Sequence, residues 1–174
     1  MNNKTRTAGL LALVSLAALS ARAAPAPSPY QPLAFLVGHC WKGSFADGAA
    51  TDEHCFSWIY GGKFMRDEHV VHRDGRPDGF GESIYVWDGA ARELQYLYIE
   101  SGGGFGRGTV AAEGDTLVFP AAHYVENGAT QTYRSRWRHV AAGTYEVVTE
   151  FQVKDRWVPG FTLVMQRVGA AGGG

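Results

Sequence analysis

His39-Cys40-Trp41-Lys42-Gly43-Ser44-Phe45-Ala46-Asp47-Gly48-Ala49-Ala50-Thr51-Asp52-Glu53-His54-Cys55-Phe56-Ser57-Trp58 alternates aromatic and polar residues on both sides of an Asp-Gly dipeptide. That period of two belongs to half-buried strands, and Asp-Gly between two such runs reads as a hairpin turn. With Asp47-Gly48 as the two-residue turn, Ser44 faces Thr51, Lys42 faces Glu53 and Cys40 faces Cys55. A regular ladder from this turn places the cysteines at a hydrogen-bonded site with Cα atoms about 5.5 Å apart, within bridging range. In an oxidising compartment the pair is expected to form a disulfide that stabilises by about 3 kcal/mol, two free thiols being the alternative. The sequence holds no Cys-x-x-Cys redox motif, so the bridge reads as structural.

The same register sorts side chains by face. The cysteine face carries Lys42, Ser44, Thr51 and Glu53 and suits solvent, whereas the opposite face carries His39, Trp41, Phe45, His54, Phe56 and Trp58 and is expected inside. If Gly61-Gly62 makes the next two-residue turn, His54 faces His69 and Phe56 faces Asp67. His39, His54, Asp67 and His69 then form an interior patch across three strands, able to share a metal, orient a polar ligand or simply hydrogen-bond one another. A one-residue slip would instead turn Phe64, Arg66 and Glu68 inward.

Beyond Tyr30 the chain continues as short runs of Val, Tyr, Phe, Trp and Thr separated by Gly, Asp and Asn. Ten strands are expected near 38–46, 49–60, 63–73, 79–88, 92–101, 104–112, 115–120, 130–140, 143–153 and 156–168, with a brief helical turn at Leu33 to Val37. No helix long enough for a parallel crossover lies between them, so the fold class is all-β: a ten-stranded antiparallel up-and-down barrel, with a two-sheet sandwich as the alternative. Residues 32–168 form one domain, after a Pro-rich lead-in at 24–31 and before a Gly-rich tail at 169–174 that is expected to be disordered.

The 174 residues are 45% hydrophobic and 19% charged, which excludes disordered and collagenous classes, and a formal charge of -1 with no basic run gives no footprint for nucleic acid. Lys4 and Arg6, the apolar stretch Gly9 to Leu19 and Ala21-Arg22-Ala23 read as a secretory signal peptide over residues 1–23. The apolar stretch is too short for the roughly 20 residues of a membrane span, so the expected location is periplasmic or extracellular after cleavage near Ala23.

A later hairpin supports the layout. With Ala141-Ala142-Gly143 as a turn and Gly143 left-handed, Arg138 faces Glu146 and Arg134 faces Glu150 outside, while Tyr133, Ser135, Trp137 and His139 face Phe151, Thr149, Val147 and Tyr145 inside. An aromatic interior with a few polar groups suits a small-molecule cavity, or a filled core that acts through its surface. The facing of Tyr85, Trp87, Tyr96 and Tyr98 is left open, because no short turn fixes it.

Leu33-Ala34-Phe35-Leu36-Val37-Gly38-His39-Cys40-Trp41-Lys42-Gly43, Tyr60-Gly61-Gly62-Lys63-Phe64-Met65-Arg66 and Gly81-Glu82-Ser83-Ile84-Tyr85-Val86-Trp87-Asp88 together resemble an uncharacterised bacterial family related to the nitrobindin-like, calycin-type barrels. The resemblance implies a barrel with a plug before its first strand and a lumenal ligand, haem included, with His139 or His123 nearest in position to that family's haem histidine. Fold analogy alone does not assign function. Catalysis is the other class of reading: the sequence has no nucleophile elbow, no His-Glu-x-x-His and no P-loop, since Gly102-Gly103-Gly104-Phe105-Gly106 reads as a hairpin turn, which leaves acid–base or metal-assisted chemistry by His54, His69 and Asp67.

Overall fold

The computed structural model describes residues 28–171 apart from Asp47. Within them ten antiparallel strands run β1 (His39–Ser44), β2 (Ala50–Ile59), β3 (Phe64–Arg73), β4 (Gly79–Asp88), β5 (Glu93–Glu100), β6 (Phe105–Glu113), β7 (Thr116–Glu126), β8 (Ala129–Ala141), β9 (Thr144–Val153) and β10 (Arg156–Ala170). Each strand pairs with its chain neighbours, and β10 returns to pair with β1, so the sheet closes into an up-and-down barrel. Closure satisfies the two strand edges that an open meander would expose.

All three expected registers are present: Cys40 opposite Cys55, His54 opposite His69, and Arg134 opposite Glu150. The first turn differs in size. Phe45 N–H donates to the Ala50 carbonyl, which makes Phe45 and Ala50 the last hydrogen-bonded pair and residues 46–49 a four-residue loop. Moving the ladder's phase by one pair puts Cys40 and Cys55 at a non-hydrogen-bonded site, where strands lie closer, and their Cα atoms are 4.1 Å apart in the disulfide, not the 5.5 Å expected.

β7 does not stop at residue 120. It bulges between Phe119 and Ala122, which accommodates Pro120, and continues to Asn127-Gly128, where both residues have positive φ as a type I′ hairpin requires. The N-terminal turn is also displaced, to a 3-10 helix at Ser28–Leu33 that contains Pro32, because the ring's fixed φ suits that helix as well as it suits a turn. Gly169 and Ala170, expected in a disordered tail, pair with Cys40 and His39. Residues 1–23, expected to be a signal peptide, and residues 172–174 lie outside the described residues. Among the described residues no helix is long and apolar enough to cross a membrane.

The segment from Tyr30 to Val37 plugs one end of the barrel. Tyr30, Leu33, Leu36 and Val37 are buried there against Trp41, Phe56 and Met65. The Tyr30 hydroxyl donates to the Lys63 carbonyl at 2.8 Å and accepts from Trp87 N–H at 2.9 Å, tying the plug to the β2–β3 turn and to β4. Trp41 donates its indole N–H to the Leu36 carbonyl at 3.1 Å, which ties β1 to the plug.

Candidate functional site

Above the plug the lumen stays open as a cavity of about 380 Å³. Trp137 and Tyr145 form its floor, with ring centroids 5.7 Å apart, and Trp41 packs beneath Tyr145 at 5.1 Å. Its walls are aromatic: Tyr85, Tyr96, Tyr98, Phe119, Tyr133 and Phe161 line it. Glycine makes this room. Gly108 lies opposite Tyr96, whose ring covers it so closely that any side chain at 108 would collide with the phenol.

One wall is ionic. His54 Nδ1 lies 3.0 Å from both oxygens of Asp67, and its Nε2 lies 3.1 Å from Asp52 Oδ2. A ring with a carboxylate at each nitrogen donates from both, which makes it an imidazolium. Burial opposes that charge, but the carboxylates of Asp67 and Asp52 outweigh it and push the His54 pKa up to about 10. For Asp52 burial likewise works against ionisation, and His54 and His69 overcome it, holding the carboxyl well below the usual range.

Asp52 also orients His69, accepting from its Nδ1 at 3.1 Å, and the other ring nitrogen of His69 lies 3.1 Å from the Tyr98 hydroxyl. The His69 ring thus bridges the Asp52 carboxylate and the Tyr98 phenol. Burial, first of all, keeps Tyr98 protonated far above the ordinary tyrosine value. The result is a continuous chain Asp67–His54–Asp52–His69–Tyr98. Gly81 is the enabling residue, since it lies directly opposite His69 and a Cβ there would strike both the imidazole and the Tyr98 ring.

Asp52, His54 and His69 have metal-ligating atoms within 4.8 Å of one another. Their arrangement suits hydrogen bonding better than coordination. The two imidazoles stack, with centroids 4.7 Å apart and planes 25° from parallel, so their in-plane lone pairs run side by side and do not converge on one ion.

Of the residues singled out in the sequence, His54, Asp67, His69, Tyr133 and Trp137 line the cavity. Trp41 and Phe56 face inward as expected but belong to the solid core, and Trp58 packs edge-on to Tyr30, with centroids 5.4 Å apart. His139 stacks on Phe35 of the plug at 4.7 Å, and His39 sits at the same end with its Nε2 3.5 Å from an Arg167 nitrogen. The expected patch therefore loses His39. Haem is not supported by these residues: half-buried His139 stacks on Phe35 of the plug, away from the cavity lining, His123 bonds Thr132 on the outer surface, and both ring nitrogens of His54 and of His69 are engaged.

Asp52 and the tyrosines of β4 and β5 were not foreseen as site residues. Asp52 had a signal, lying two residues from His54 on the inward face. Tyr98 had none, because β4 and β5 join through Gly89–Arg92 and no short turn sets their register; the pairing of Ser83 with Tyr98 does. Tyr124 was lost with the end of β7.

The Gly102–Gly104 segment is a hairpin turn, as expected. Its Gly102 and Gly104 N–H groups donate to the Glu100 carboxylate, which also accepts from Tyr124 at 3.1 Å. Burial raises the Glu100 pKa less than those donors lower it, so an ionised carboxylate stands beside Tyr124 at the cavity's outer end. No protein-family model matches the chain, and no curated protein matches it significantly.

Proposed function

We propose that this is an exported barrel that binds a small apolar or amphipathic molecule in its lumen, of the nitrobindin-like, calycin-type kind but without haem. The cavity carries this reading. At about 380 Å³ it falls in the range of small-molecule sites, its walls are aromatic, and its polar groups converge on one side, which is how such sites set ligand orientation. A filled core acting only through its surface is at odds with that space. The disulfide is consistent with an oxidising compartment.

Native followed by denaturing mass spectrometry on the exported protein, combined with titration of the neutral fluorophore N-phenyl-1-naphthylamine, tests the reading. The expected result is a chain lacking residues 1–23 and two cysteine hydrogens, with either a stoichiometric adduct lost on denaturation or saturable fluorophore binding. A bare chain that does not bind the fluorophore overturns it.

A second reading rests on the Asp52–His69–Tyr98 relay, which resembles an acid–base device with a phenol at its working end. An enzyme of that kind loses turnover in Tyr98→Phe while still binding its substrate.

A further inference from the structure

The outer surface of the barrel is uneven. Across β8 and β9 it is charged and paired, with Arg134 bound to Glu150 and Arg138 to Glu146. Across β4, β5 and β6 it is apolar: Phe80, Leu97, Ile99 and Phe105 alternate with the inward residues of their strands, point outward and are 40% to 56% exposed. They are contiguous. Ile99 stands opposite Phe105, Leu97 stands opposite Ile84, and Phe80 is two residues along β4 from Glu82, which stands opposite Ile99. With half-buried Val70, Ile84 and Val125 these side chains form an apolar area on the order of 500 Å², near the upper end of what soluble monomers leave in water.

Two charges border the centre of this patch. Glu82 stands beside Ile99 on β4, and Arg107 stands beside Leu97 on β6, at diagonally opposite corners. Among the described residues neither makes an ion pair, unlike the arginines of β8. An isologous contact exchanges such corners between copies. A two-fold axis in the plane of the contact, running from the Ile84 corner to the Phe105 corner, brings each Glu82 to the Arg107 of the second copy. The same operation seats Leu97 between the second copy's Glu82 and Ile84, and Ile99 over its Gly106. The sheets then cross near a right angle, one of the two ways in which sheets pack. Two such patches with their polar rims bury on the order of 1,000 Å², the size of a specific but reversible interface. An uncharged surface, lipid or protein, would cover Glu82 and Arg107 without giving either a partner, which costs their hydration.

We infer that the outer face of β4, β5 and β6 is a self-association surface, on which a second copy of this chain docks about a two-fold axis that pairs Glu82 with Arg107 twice. The inference is independent of what the lumen holds, because these side chains point away from it.

Sedimentation equilibrium of the exported chain from about 1 to about 100 μM tests it, and an interface of this size is expected to give a dimer with a micromolar Kd. Glu82→Arg and Arg107→Glu each set like charges against each other twice, and each is expected to weaken the dimer at least about tenfold. The double variant restores both pairs in reverse and is expected to return to within about threefold of the parent. Ile99→Asp, at the centre of the patch, is expected to stay monomeric. All four changes lie on the outer surface, and an unchanged far-ultraviolet circular dichroism spectrum confirms that the barrel is intact. A parent chain that stays monomeric at about 100 μM overturns the inference, and its cosedimentation with phosphatidylcholine vesicles would assign the face to a lipid surface instead. A dimer that survives Ile99→Asp, or that the charge reversals neither weaken singly nor restore together, overturns it as well.

Discussion

The two ends of the barrel are built from the same strands with the same inward alternation, yet one end is solid and the other hollow. At the plugged end Leu33, Leu36, Trp41, Phe56 and Met65 fill the lumen, with Leu33, Leu36, Phe56 and Met65 fully buried. At the other end the inward positions of β2 and β3 carry Asp52, His54, Asp67 and His69, and β6 contributes glycine across from Tyr96. Alternation therefore decides which side chains face in, and side-chain size and the plug decide whether they leave space. The solid end holds the closely packed apolar side chains, and the hollow end holds the ionic and phenolic groups. The aromatic floor of Trp137 and Tyr145 is where the two halves meet.

The largest expected effect comes from emptying the solid end. Phe56→Ala should destabilise by about 3–5 kcal/mol in urea denaturation, since the closed, plugged end has little freedom to collapse onto the gap. A cost near that of an exposed residue would mean that the two ends are not energetically distinct.

Next comes the ionic wall. His54 has a folded pKa raised above its ordinary value of 6.5, so its contribution is fully present below pH 6.5 and is lost as the pH rises toward about 10. Asp52 is depressed, so its contribution is present above its ordinary value of 3.8 and is lost as the pH falls below it. Stability measured by denaturation across pH should therefore be greatest between those two ordinary values. Asp67→Asn removes one of the two carboxylates holding His54 charged. It should cost about 3 kcal/mol at pH 6 and flatten the alkaline limb, because breaking one partner of a buried pair leaves the other poorly solvated. An unchanged alkaline limb would show that Asp67 does not hold the proton on His54.

The smallest expected effect on stability is at Gly81, and it bears on the hollow end alone. Gly81→Ala should cost about 1–3 kcal/mol through overpacking while displacing His69 from Tyr98. The displacement is read as a shift in the His69 imidazole resonances, with those of His139 unmoved under the plug. Movement of both would mean that strain passes through the floor and that the two ends are coupled.

Much of this was legible in short-range pattern. The turn at Gly61-Gly62 sets the register that brings His54 to His69 and Phe56 to Asp67, and a period of two carried that pairing inward. The same logic reached Trp41 and Phe56 but could not tell a filled layer from an open one, because both are aromatic and inward. Pro120 read as a strand end, whereas the structure absorbs it in a bulge, and Tyr124 was lost with it. Tyr98 was out of reach for a different reason: residues 89–92 hold no dipeptide with a preferred hairpin geometry, so the register of β4 on β5 could not be read from them.

By itself the sequence determined the all-β class, the ten-strand order, the disulfide and the local pairing of the histidines, because hairpins connect neighbours in the chain and their registers are short-range properties. Only the tertiary structure decided which layer of the barrel is filled and which stays open, and that Asp52, His69 and Tyr98 meet from β2, β3 and β5. Those outcomes depend on volumes and contacts between residues far apart in sequence, such as Tyr30 with Trp87 and Phe35 with His139, which no alternation pattern records.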